Sequence, residues 1–396
     1  MTPMTPRERL ASVDLLRGIV MVIMALDHVR EYVHAPAQNF NAEDLAQTTA
    51  AIFFTRWITH FCAPVFAFCA GLGAWFWSER HGGTRAEQSR FLWTRGLWLI
   101  VLEFTLVRLG FFFNFDHSSL FLLVFWMLGL SMIALAILVH LPFRALAVLS
   151  VGMIVLHNLA DGVNAASFGS GAWVWQLLHQ PGAIQTRWTV FLLGYPLVPW
   201  MAVVAAGFCF GRIYRLPGEL RSRVLIRLGL GLTAAFVVLR LINIYGDPSP
   251  WSDQPSGLFT LLSFLRTTKY PPSLLFLLMT LGPAIALLGV LDNARPGERN
   301  PFLVFGRVPL FYFVLHIPLI HVVQIAMTWL QYGAMPFLFL PPPTIGTPRE
   351  LFPADYGWSL GVTYAVWLGV VVVLYPVCLW FSRFKAQRRA WWASYL

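Results

Sequence analysis

The sequence predicts an all-α protein, a polytopic transmembrane bundle of about ten helices with its N- and C-termini in the cytoplasm. Three observations carry that reading. The 396 residues are 58% hydrophobic and 12% charged, with a mean hydropathy of +0.65, whereas soluble domains carry about a quarter charged residues. The apolar residues fall in long blocks such as 91–113, 120–140 and 363–380. That is the length at which a helix crosses about 30 Å of hydrocarbon while satisfying its own backbone. Lastly, Arg and Lys are divided unequally between alternate loops.

Spans are predicted at 10–33, 52–78, 91–113, 119–139, 142–160, 188–211, 223–243, 271–291, 301–325 and 360–382. The first reads as a retained span rather than a cleaved signal, because Asp14, Arg17, Asp27 and His28 interrupt it and no small-residue cleavage site follows. With the N-terminus inside, nineteen cationic residues stand at or near the cytoplasmic face. They run from Arg7 and Arg9 through Arg80, Arg85, Arg90 and Arg95 to Arg383, Lys385, Arg388 and Arg389. The opposite side keeps five: Arg30, Arg187, Arg266, Lys269 and Arg349. This asymmetry sets the orientation. It also accounts for the net charge of +10 without invoking nucleic acid.

The outer loops 34–51, 161–187, 244–270 and 330–359 are rich in Pro, Gly, Ser, Asn and Trp, and the last should be irregular. No repeat, low-complexity tract or phosphate loop divides the chain, so residues 1–396 read as a single domain. The four cysteines form no disulfide framework. Cys62 and Cys69 lie about 10 Å apart along one helix, too far to bond.

Ionisable groups inside a bilayer are costly, so each is a candidate site. On the first helix Asp14, Arg17 and His28 fall within about 60° of one another. Asp14 and Arg17 are also spaced for a local ion pair anchoring the helix. His28 lies near the outer surface, beside Asp27 and one turn before Glu31. The second span opens with Arg56 and His60 on one face, where Arg56 has the alternative of snorkelling to the interface. The eighth opens at Lys269 and Tyr270. The ninth carries His316, the deeper candidate, and His321, which is expected at the interface. His28, Arg56, His60, Lys269 and His316 thus come from four helices at one depth. Asp14, Arg17, Arg90 and Arg95, with the inner Arg-rich loops, form a cytoplasmic counterpart suited to an anionic ligand.

No zinc spacing, HExxH or carboxylate cluster points to a metal, and GxSxG is absent. What remains is imidazole, one beside a carboxylate. It can take a proton from a hydroxyl or amine attacking a thioester, with Arg or Lys steadying the oxyanion.

Residues 10–28, LASVDLLRGIVMVIMALDH, resemble the opening of the transmembrane acyltransferase superfamily. They are most similar to bacterial relatives of heparan-alpha-glucosaminide N-acetyltransferase. The matching positions are Ser12, Asp14, Arg17, Gly18 and the Asp27-His28 end. Residues 53–71, FFTRWITHFCAPVFAFCAG, 269–283, KYPPSLLFLLMTLGP, and 315–321, LHIPLIH, also look like that group.

The resemblance implies transfer of acetyl from cytoplasmic acetyl-CoA to an amine or hydroxyl of an extracytoplasmic glycan, in the bacterial inner membrane. It also implies a catalytic His near the outer end of the first helix. The eukaryotic enzyme places Asn where Asp27 stands, and its His falls at the position of Gln38 here. His28, tuned by Asp27, is therefore the expected base, with His34 in a flexible loop as the reserve. The animal enzyme's luminal domain has no counterpart here, so its substrate is not carried over. Arg17 and Arg95, with Asp14, are expected at the acyl-CoA site, and Arg56, His60, Lys269, Tyr270 and His316 at the acceptor. Membrane lipid is the other expected partner, and a homodimer is left open. The rival readings are a secondary transporter or exporter of an envelope precursor with His, Asp and Arg as relay groups, and an envelope assembly factor. Transporters often carry inverted repeats, and none is found.

Overall fold

The computed structural model describes residues 11–387; Arg7, Arg9, Arg388 and Arg389, counted above on the cytoplasmic side, lie outside them. From residue 11 the chain rises as α1 (Ala11–Val33). A loop leads to α2 (Ala50–Trp57), which passes through a 3₁₀ turn at Ile58–Phe61 into α3 (Cys62–His81). The next crossing is α4 (Arg85–Leu102), a π-helical turn at Glu103–Val107, and α5 (Arg108–Phe112). There follow β1 (Ser119–Leu122), α6 (Val124–Leu138), α7 (Phe143–Leu156) and α8 (Ala172–Leu178). The strands β2 (Gly182–Gln185) and β3 (Val190–Leu193) precede α9 (Leu197–Phe210) and α10 (Gly218–Ile242). The last third holds α11 (Gly257–Leu265), α12 (Leu274–Leu291), α13 (Pro301–Arg307), α14 (Pro309–Tyr332) and α15 (Leu360–Gln387).

Local chemistry sets many of these starts. Thr84 and Glu87 make a reciprocal capping box on α4, and Ser256, Ser273 and Asn300 cap α11, α12 and α13 with their side chains. Each satisfies an N–H that the first turn leaves unpaired.

Seven helical stretches are long and apolar enough to cross a membrane: Ala50–His81, Phe143–Ala160, Leu197–Arg215, α10, α12, α14 and α15. Three more elements stand among them. Charged residues interrupt α1 and the α4–α5 helix, and α6 is a shorter apolar helix of 15 residues. Together they make the ten predicted elements of a polytopic helical membrane protein.

Three predicted spans are not continuous helices. Those at 119–139 and 188–211 open as β1 and β3, which pair in parallel, while β2 pairs antiparallel to β3. The sheet pairs the backbone groups of these extended segments within the protein. The span at 301–325 breaks at Val308 (φ −131°, ψ 49°) between α13 and α14. Pro309 disfavours helical backbone at the residue before it and has no N–H to bond back. Loop 330–359 contributes two 3₁₀ turns, at Pro343–Ile345 and Arg349–Leu351, rather than an eleventh span.

Helix α1 packs against α3, α12, α13, α14 and α15. Without a hydrophobic force between helices in lipid, close backbone approach does much of this work. A Cβ on Gly18 would stand 1.7 Å from the Phe302 carbonyl oxygen, and one on Gly306 would stand 1.7 Å from that of Asp14. The α3–α9 contact repeats the device: a Cβ on Gly71 would run into the Val204 carbonyl, and one on Gly207 into that of Phe68. Gly18→Ala and Gly306→Ala should each destabilise the protein by about 1–3 kcal/mol or more. A lower unfolding temperature in detergent is the readout, and wild-type melting would show that α1 and α13 can part freely.

Candidate active site

Near the outer end of α1, Asp27 and His28 project about 100° apart, as neighbours on a helix must, and they meet different partners. The Arg56 guanidinium donates to both Asp27 oxygens at 2.6 and 2.7 Å, and Arg30 donates to one at 3.2 Å. Arg56 is therefore not snorkelling; its side chain is 12% exposed and tied to α1 from the last turn of α2. His28 turns the other way. Its Nδ1 lies 2.8 Å from a Glu31 oxygen, and its ring stands 5.2 Å from that of His316. Aromatic edges of Phe111 and Phe313 flank it. The carboxylate that orients His28 is thus Glu31, one turn on, and not the expected Asp27. With Nδ1 given to Glu31, Nε2 is left as the basic nitrogen of the neutral ring.

His316 (α14) is fully buried, with Nδ1 on the Phe313 carbonyl at 2.6 Å and Nε2 without a partner. Lys269 and Tyr270 lie in the turn between α11 and α12. The Lys269 ammonium sits 5.1 Å over the Tyr270 ring, and the Tyr270 hydroxyl donates to that of Tyr195 at 3.5 Å.

All of these groups but His316 and Arg30 line three cavities that share residues in series, and His316 stands behind the His28 ring. The middle one, about 180 Å³, is bordered by Asp27, His28, Glu31, Glu103, Lys269 and Tyr270, with Tyr195 and Thr344. An inner one of about 170 Å³ is almost wholly apolar apart from Arg17 and shares Phe66, Val124 and Phe313 with it. An outer one of about 470 Å³ is polar, lined by Glu43, Asp44, Arg56 and Arg266, and shares Lys269 and Tyr270. The Asp27–Arg56 ion pair lies on the partition, with Asp27 facing the middle cavity and Arg56 the outer one.

The structure thus brings together Asp27, His28, Arg56, Lys269, Tyr270 and His316. His60 stands apart: it is fully buried against Phe276, with Nε2 3.5 Å from Glu43. Burial alone would raise the Glu43 carboxyl, but attraction to His60, Arg56 and Lys269 outweighs it and holds the group at about 2. At the inner end Asp14 and Arg17 are ion-paired, and Arg17 lines the inner cavity. Arg95 stacks over Phe91 at 4.6 Å and is not among the residues lining these cavities.

Two further expectations are corrected. His321 does not face the surroundings of the bundle: it is buried, stacked on Phe113 and bonded to the Gly110 carbonyl. His34 is not in a loose loop. It is 2% exposed, directly follows α1, and is bridged to Trp358. Glu103, Tyr195 and Thr344 are cavity residues that sequence reasoning passed over. Glu103 was visible as a carboxylate inside the apolar run 91–113. Tyr195 and Thr344 reach the site through the β3–α9 junction and the Pro-rich loop, which carry no periodic signal.

The site is thus a His–Glu pair in a cavity of a helical membrane protein, and that cavity shares lining residues with an apolar one on its inner side and a polar one on its outer side. Residues 9–239 match the heparan-alpha-glucosaminide N-acetyltransferase catalytic family. The chain belongs to that family, and so to the membrane acetyltransferases. No curated protein matches it. The match ends within α10, so Lys269, Tyr270 and His316 complete the site from beyond the matched region.

Removing one member of a buried ion pair strands the other. Asp27→Asn should therefore destabilise the protein by about 3–5 kcal/mol, and Asp27→Asn with Arg56→Gln by less than the sum of the two single changes. Additive losses in a thermal double-mutant cycle would show that the pair is not coupled.

Proposed function

We propose that this protein is a single transmembrane domain that moves an acetyl group from cytoplasmic acetyl-CoA to an amine or hydroxyl of an extracytoplasmic glycan, with His28 as general base. The observation that carries this reading is the His28–Glu31 pair, set where the apolar inner cavity and the polar outer vestibule converge. The excess of Arg and Lys on the side of residues 80–95 supports that side as cytoplasmic, and a bacterial inner membrane is the location we favour.

The steps follow from the residues. Acetyl-CoA enters from the inner side, with Arg17 and Arg95 attracting its phosphates and Asp14 holding Arg17 in place. Its thioester lies in the middle cavity. The acceptor comes from the outer vestibule, past Arg56, Lys269 and Tyr270, while His60 holds Glu43 behind it. His28 Nε2 takes the acceptor's proton as its nitrogen or oxygen attacks the thioester carbonyl. Glu31 steadies the imidazolium through Nδ1, and the Lys269 ammonium stabilises the oxyanion. The C–S bond then breaks, its electron pair leaving with sulfur. His316 backs the His28 ring and restricts its orientation, and Asp27 keeps Arg56 in the partition.

His28→Ala should lower acetyl transfer by purified protein about 10²- to 10⁴-fold while leaving a measurable acetyl-CoA isotherm. His34→Ala should be near wild type. Unchanged transfer in His28→Ala would remove this assignment. Substrate flux by the wild-type protein without acetyl transfer would identify a transporter instead.

A further inference from the structure

The acyl-transfer reading leaves one buried carboxyl group of the middle cavity without a task. Glu103 is 3% exposed and opens the π-helical turn between α4 and α5. Such turns are rare and frequently mark functional sites. One oxygen, Oε2, accepts the backbone N–H groups of Phe125 and Trp126 at 2.8 and 3.1 Å, in the first turn of α6. Among the described residues the other oxygen makes no hydrogen bond and is not occluded, and Glu103 lines both the cavity that holds His28 and a smaller one beside it bordered by Arg108 and Phe112. Among the described residues no Arg, Lys or His nitrogen pairs with this carboxyl group. Arg108, the nearest cation along the same helix, is committed to the Asn114 carbonyl and side chain.

Capping alone does not account for this residue. A neutral amide or hydroxyl caps a helix as well as a carboxylate does, without placing an ionisable group in a membrane span. We propose that Glu103 is the second catalytic residue, the acid that protonates the departing thiolate. This rests on the acyl-transfer reading above. When the C–S bond breaks, its electron pair passes to sulfur, and the Glu103 carboxylic acid supplies the proton that makes free CoA thiol. The carboxylate formed keeps its two N–H donors from α6, which stabilise it at the moment it appears. The proton that His28 took from the acceptor then returns to Glu103 within the same cavity. Acceptor and acetyl-CoA become acetylated acceptor and CoA, and the site ends in the state in which it began. The other ionisable groups facing this cavity are Asp27, Glu31, Cys62, Lys269, Tyr195 and Tyr270, with His316 behind His28.

The test is Glu103→Gln in the full-length purified protein, because the glutamine oxygen can accept the same two N–H groups. The unfolding temperature and the acetyl-CoA Kd should stay near wild type, while acetyl transfer falls at least about 10²-fold. With an acetyl thioester of an acidic aryl thiol, which leaves without a proton, the variant should recover most of the wild-type rate. Wild-type transfer from acetyl-CoA by Glu103→Gln would overturn the proposal, as would an equal deficit with both donors. A loss matched by lost acetyl-CoA binding or lost stability would also overturn it, reducing Glu103 to a cap on α6. Absence of transfer in the wild-type protein would instead sink the acyl-transfer reading itself.

Discussion

Helix α1 carries Asp14, Arg17, Asp27, Arg30 and Glu31 through a hydrocarbon layer, and the rest of the bundle is arranged to make that tolerable. Charged side chains in lipid must be enclosed and paired. Five other helices therefore surround α1, and they approach closely because glycines stand where the backbones meet. Among the described residues the charges are answered locally: Asp14 by Arg17, Asp27 by Arg56 and Arg30, and Glu31 by His28. The enclosing helices can then be apolar on their outer faces, as the exposed Val and Leu side chains of α12, α14 and α15 are.

The same constraint locates the chemistry. A polar helix threaded through a bundle leaves space beside its side chains that lipid does not fill, and the inner and middle cavities follow the side of α1 that bears Arg17, Met21, Met24 and His28. Arg17 and His28 are about 16 Å apart along the helix. One helix thus serves both ends of a path across the bilayer, and the partners at each end come from elements far apart in sequence. The outer cluster draws on the turn before α12 and on α14, as well as on α1, α2 and α4.

Much of this was legible in the residues. Apolar blocks gave the crossings, and the rule that membrane charges need a reason singled out Asp27, His28, Arg56, Lys269 and His316 before their contacts were known. The pairing within that set was not legible. Adjacency in sequence suggested Asp27 as the companion of His28, whereas helical geometry sends the two residues to different neighbours and gives the role to Glu31. The strands β1 and β3 were also missed, because a short apolar run of Leu, Phe and Val reads alike as buried strand or helix. Tyr195 and Thr344 depend on where irregular segments fold back, and no local pattern encodes that.

Phe66, Val124 and Phe313 form the collar shared by the inner and middle cavities. Its meaning is electrical as much as steric. A membrane enzyme with substrates on opposite sides faces the hazard of becoming a leak, since any continuous file of polar groups and water would short-circuit the ion gradients the membrane maintains. An apolar ring between Arg17 and His28 interrupts such a file. On the acyl-transfer reading a thioester on a slender uncharged arm would pass it, whereas hydrated ions would meet an apolar barrier, and the collar would let the bundle stay an insulator while one chemical group crosses.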